Sequence, residues 1–157
     1  MEDLLLSIHV LAGIVFVGGS AVATSLFPRY APVAVRAGAP IGPPVAERAD
    51  ERNRSTALVL HRITRVYALI GITVPVVGIA LALVQGRMSE TWVNVAMILT
   101  AAAGVLLAWQ IHPRQREALR EPVDKAVLSR LSMYSGFYNL LWAAVVVLMI
   151  VRTGSAD

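Results

Sequence analysis

Long uncharged intervals alternate with short clusters of charge along this chain. Leu4–Pro28, Val66–Gly86, Thr91–Pro113 and Leu131–Val151 contain no Asp, Glu, Lys or Arg. Each reaches or exceeds the roughly 20 apolar residues needed to cross about 30 Å of hydrocarbon at ~1.5 Å per residue. A water-soluble helix of that length carries a polar face, with charge recurring every turn or so; none of the four intervals has one. The pattern predicts an all-α protein, a four-transmembrane-helix antiparallel bundle with N- and C-termini outside. Its spans fall at about 4–28, 66–86, 91–113 and 131–151 within a single membrane domain, 1–157.

Composition agrees with the pattern. The chain is 57% hydrophobic and only 15% charged, against roughly 25% charged in an average soluble domain. Ala21-Val22-Ala23 looks like a signal-peptidase site. The segment before it opens with Glu2 and Asp3 where a signal peptide carries positive charge, so the first interval is read as a retained span. Cysteine is absent, which removes disulfides and thiolate metal sites.

Orientation follows from Lys and Arg. Arg29, Arg36, Arg48, Arg52, Arg54, Arg62 and Arg65 lie in the first inter-span segment or at the foot of the second span. Arg114, Arg116, Arg120, Lys125 and Arg130 lie in the third segment, leaving only Arg87 and Arg152 elsewhere. Twelve of fourteen basic residues thus fall on one side, which is expected to be the cytoplasm. The net charge of +4 is then positive-inside bias and attraction to anionic headgroups, with no nucleic-acid partner required.

The cytoplasmic loops are expected at 29–65 and 114–130. Pro28, Pro32, Pro40, Pro43 and Pro44, with Gly38 and Gly42, predict an irregular stretch over 28–44. From Val45 the composition favours a charged helical extension running into the second span, and a helix starting near Pro122 is expected to run into the fourth. Pro75 should kink the second span and free a carbonyl. The short turn 86–90 makes the second and third spans a hairpin. Gly13, Gly18, Gly19, Ala23, Gly71, Gly78 and Ala101 to Gly104 supply surfaces for close helix packing. Trp92 and Trp109 are expected in the two interfacial belts, and Trp142 inside the bundle.

The spans carry no charged residue, which counts against pumps, ion-coupled transporters and carboxylate-pair hydrolases. His9 is the ionisable group clearly inside, sharing a face with Gly13, Phe16 and Ser20. Met97 and Asn94 on the third span and Met149 on the fourth fall at its depth. His9 is read as a hydrogen-bonded structural histidine, a haem or copper ligand with Met97 or Met149 as partner, or a proton relay. His61 and His112 belong to the other side and could approach each other; interfacial anchoring or headgroup contact is their expected role, with a transition-metal or haem site the alternative. Ser135, Tyr138 and Asn139 form a polar stripe suited to interhelical hydrogen bonds. No phosphate loop, nucleophile elbow or dinucleotide fingerprint is present.

The run from Ile8 to Gly19, with its His9 and closing Gly18-Gly19, resembles the opening of small four-helix membrane proteins of the copper-resistance D superfamily. Ser25-Leu26-Phe27-Pro28-Arg29-Tyr30-Ala31-Pro32 and Leu60-His61-Arg62-Ile63-Thr64-Arg65-Val66-Tyr67 resemble an uncharacterised branch of actinobacterial integral membrane proteins. The resemblance implies a four-helix architecture. Its wider relatives include copper-handling proteins and membrane haem proteins that oxidise porphyrinogens, and in the latter a first-helix histidine, here His9, is the counterpart of an iron ligand. The Leu-Pro-Arg block that follows that histidine in those proteins is not reproduced, since Pro28-Arg29 comes much later. The sequence is therefore expected to encode a multi-pass inner (plasma) membrane protein, structural or accessory, forming a homo-oligomer or joining a larger complex through segments 36–65 and 114–130. The alternative is a haem- or copper-binding redox protein using His9.

Overall fold

The computed structural model describes residues 2–34, 44–71 and 73–151. Arg36, Gly38, Pro40, Gly42, Pro43 and Arg152 lie outside the described residues. The described residues are almost all helical: α1 (Glu2–Tyr30), α2 (Pro44–Ile70), α3 (Thr73–Val84), α4 (Thr91–Val105), a π-helical segment (Leu106–Ile111), α5 (His112–Arg120) and α6 (Lys125–Val151). Four stretches are long and apolar enough to cross a membrane: Ser7–Tyr30, Glu51–Val84, Thr91–Arg120 and Lys125–Val151. Among the described residues extended pairing is confined to one parallel bridge, Val33 with Val123.

Proline shapes each departure from a plain helix. A proline lacks an N–H and its ring displaces the carbonyl four residues earlier. Pro75 does this to Gly71, where α2 gives way to a turn. The Thr73 hydroxyl donates to the Ile70 carbonyl at the turn. Pro113 does it to Trp109, and the preceding turn widens into the π-helical segment, in which the His112 N–H reaches the Leu107 carbonyl. Pro28 was expected to open an irregular stretch, yet α1 continues through it to Tyr30. The carbonyl deprived of a donor is that of Thr24, and Ser135 of α6 supplies one at 2.9 Å. A cross-helix hydroxyl thus replaces the missing backbone bond, and the helix has no reason to end.

The core lies along α1, the π-helical segment and α6, where Phe16, Phe27, Leu107, Ile111, Leu131 and Trp142 are buried together. Phe16 meets Tyr67 and Trp142 edge-on at centroid distances of 5.3 and 5.9 Å. The polar stripe of α6 bonds across to α1. The Tyr138 hydroxyl donates to Ser20 Oγ at 2.8 Å, and Asn139 Nδ2 donates to Ser25 Oγ at 2.9 Å. Trp142 is buried as expected, whereas Trp109 is 74% exposed and Trp92 donates to the Glu90 carboxylate.

The small residues divide by surroundings. Gly19 and Gly71 are close approaches: a Cβ on the first would lie 2.6 Å from Tyr67 Cζ, and on the second 2.8 Å from Phe16 Cζ. Gly13, Gly18, Gly104 and Gly136 have nothing within 4 Å of the position a Cβ would take. One end of the molecule gathers the connecting segments. There the Ala34 N–H donates to the Val123 carbonyl at 3.0 Å, and α2 packs on α5.

Candidate functional site

A cluster of two histidines and a buried glutamine lies at that gathered end. His61 comes from α2, and His112 and Gln115 come from the start of α5. The two imidazoles stack with centroids 4.9 Å apart and planes 19° from parallel. Phe27 of α1 closes one side, its ring 6.4 Å from that of His61. Gln115 is fully buried, and its Oε1 lies 3.2 Å from His61 Nδ1. An N–H at Nδ1 makes this a donated bond and leaves the Nε2 lone pair of His61 free.

Local sequence explains the arrangement. His112 and Gln115 are three residues apart, so they share a helix face. The widened turn before Pro113 rotates that face toward α2. His61 lies one turn before Thr64, whose buried hydroxyl donates to the Leu60 carbonyl at 3.0 Å. Arg114, between His112 and Gln115 on α5, places its guanidinium 4.7 Å over the Tyr134 ring. That contact ties α5 to α6.

The surroundings set what this cluster can do. Arg65 and Arg116 are near enough to act electrostatically on both imidazoles. Among the described residues no three His, Cys, Asp or Glu side chains come together as a metal-holding group. His112 Nε2 and Gln115 Nε2 are both buried without a hydrogen-bond partner. Among the described residues the cluster offers imidazole, amide and guanidinium groups, which bind through hydrogen bonds and, at the imidazoles, can take up or give a proton.

His9, by contrast, is half-buried on α1 and faces α3, where a Cβ on Gly78 would lie 4.0 Å from its Cε1. Met97 is half-buried on α4, and Met149 is 39% exposed on α6. Asn94 uses its amide N–H groups on the carbonyls of Glu90, at 3.3 Å, and Met88, at 3.4 Å, at the start of its own helix. The expected approach of His61 and His112 is realised. Gln115 was not anticipated, although its spacing of three from His112 in His-Pro-Arg-Gln was a readable signal. No family model, no curated protein and no solved structure matches this chain.

Proposed function

We propose that this chain is a non-enzymatic, multi-pass protein of the cell (inner or plasma) membrane that acts by self-association or as an accessory of a larger membrane complex. In this reading its four spans form an antiparallel bundle, both termini lie outside, and the arginine-rich end carrying His61 and His112 is cytoplasmic. The observation that carries it is the outer face of α4. Ala103 is fully buried, while Ala101, Ala102 and Gly104 face outward with nothing within 4 Å of the Gly104 Cβ position. Ala101 and Gly104, three residues apart, share that exposed face. In a bilayer, small residues on a lipid-facing side let a second helix approach closely enough for backbone contact.

The test is energy transfer between two differently labelled pools of the full chain in liposomes. Wild type should associate, and Gly104→Leu should weaken association about tenfold, the scale of a helix contact worth ~1–2 kcal/mol. A strictly monomeric wild type, together with an empty pull-down from native lipid, would end this reading.

A redox reading at His9 has one observation in its favour: open space beside Gly13, on the same face one turn along. The resemblance to the copper-resistance D superfamily points the same way. His9 would be one ligand and Met97 or Met149 the other, to haem b or copper. An absorption spectrum of the purified protein decides it. A Soret band lost in His9→Ala establishes a haem site, and a colourless, metal-free protein removes both forms.

A further inference from the structure

An apolar groove of about 620 Å³ runs between α1 and α2, within the roughly 300–1,000 Å³ typical of small-molecule sites. Two adjacent glycines create it. Gly19 is filled by the Tyr67 ring, which Phe16 braces edge-on. Gly18 has nothing within 4 Å of its Cβ position, so bare backbone forms the groove floor beside Val22 and Val66. Tyr67 is a braced wall at one end. Arg62 lines the groove five residues earlier on α2, about 7.5 Å away along the helix.

The groove is therefore apolar along its length and cationic at one end. Among the described residues the one ion pair is Arg87 with Glu90, so no carboxylate neutralises Arg62 there. An occupant has to bring a hydrocarbon portion and a negative charge at one end. An anionic lipid carries both in one molecule, its hydrocarbon beside Gly18 and its charge at the level of Arg62. We infer that this groove binds one anionic phospholipid, its acyl chain laid over Gly18 between Val22 and Val66 and its phosphate on the Arg62 guanidinium. The inference rests on the membrane reading above and is independent of self-association. A basic residue at a membrane surface attracts an anionic headgroup, and a single arginine favours it about fivefold.

The experiment is native mass spectrometry of the full chain from detergent, with phosphatidylglycerol and phosphatidylcholine of identical acyl chains added at equal concentration. For the first lipid retained, wild type should favour phosphatidylglycerol about fivefold or more. Arg62→Gln should bring that ratio close to one, and Arg62→Lys should restore most of it. Gly18→Leu places a side chain in the open floor and should reduce retention of both lipids, with helix content by circular dichroism unchanged. An unchanged lipid ratio in Arg62→Gln overturns the proposal. So does undiminished retention in Gly18→Leu, or a Gly18→Leu variant that loses dimer while keeping its lipid, since the groove would then hold a second copy.

Discussion

Thr24, Pro28 and Ser135 form a three-residue exchange that is visible only when two helices are considered together. Pro28 takes a donor from the Thr24 carbonyl, and the Ser135 hydroxyl, also 3.0 Å from its own Leu131 carbonyl, returns one at 2.9 Å. Thr24 and Ser135 are both buried, so no water substitutes. Ser135→Ala should then cost about 1–2 kcal/mol, the scale of a buried carbonyl left unpaired or of a strong interhelical bond in lipid. With Pro28→Ala in place the backbone N–H returns to the Thr24 carbonyl, and the same Ser135→Ala change should cost less than about 0.5 kcal/mol by the logic of a double-mutant cycle. Unfolding of purified variants in mixed micelles, followed by far-ultraviolet circular dichroism, measures both legs. Equal costs in the two backgrounds would show that Ser135 does not compensate for the proline. The stripe Ser135, Tyr138, Asn139 was legible from helical spacing alone. Its partners were not, because pairing α6 with α1 is a matter of tertiary register that no local pattern encodes.

At the scale of elements, the π-helical segment is the feature that assembles the histidine cluster. An extra residue in one turn rotates everything beyond it by about 100° relative to a continued α-helix. In Pro113→Ala the Trp109 carbonyl regains its donor, and the turn should close to ordinary α geometry. His112 and Gln115 would then swing away from His61. Because the chain has no cysteine, a His61→Cys, His112→Cys pair reports this directly. Cross-linking by a short bis-maleimide should be at least about tenfold slower in Pro113→Ala than with Pro113 present, since an ~100° rotation carries the two side chains apart. Equal rates would mean that packing of α2 on α5, and not the proline, sets the face. The turn at Gly71 was readable from Pro75, where a mid-span proline predicts a kink. The continuation of the third span through α5 was not. His112 to Arg120 is rich in charge, and only its docking on α2, with Gln115 and Ala118 buried, makes it part of one long helix.

For the whole molecule, hydropathy specifies the number and length of the apolar helices, because every interval without charge has to find a non-aqueous surrounding. It says nothing about which helices touch. Large apolar side chains such as Leu11, Ile98, Leu140 and Ile150 remain exposed in the isolated chain, as a lipid-facing surface requires and a water-facing one does not tolerate. The sidedness rests on arginine, and it can be measured in the same cysteine-free background. Ser89 is exposed in the turn between α3 and α4, and Ala126 is exposed at the start of α6, beside the bridge that joins Val33 to Val123. In the proposed topology, twelve basic residues in the first and third segments, against Arg87 in the turn between α3 and α4, place Ser89 outside and Ala126 inside. In intact cells a membrane-impermeant maleimide should label Ser89→Cys and spare Ala126→Cys until the cells are opened. The reverse pattern would place His61, His112 and the Arg62 end of the groove outside. Equal labelling of both sites in intact cells would mean that the turn between α3 and α4 and the start of α6 lie on one side, which an arrangement of four full crossings does not permit.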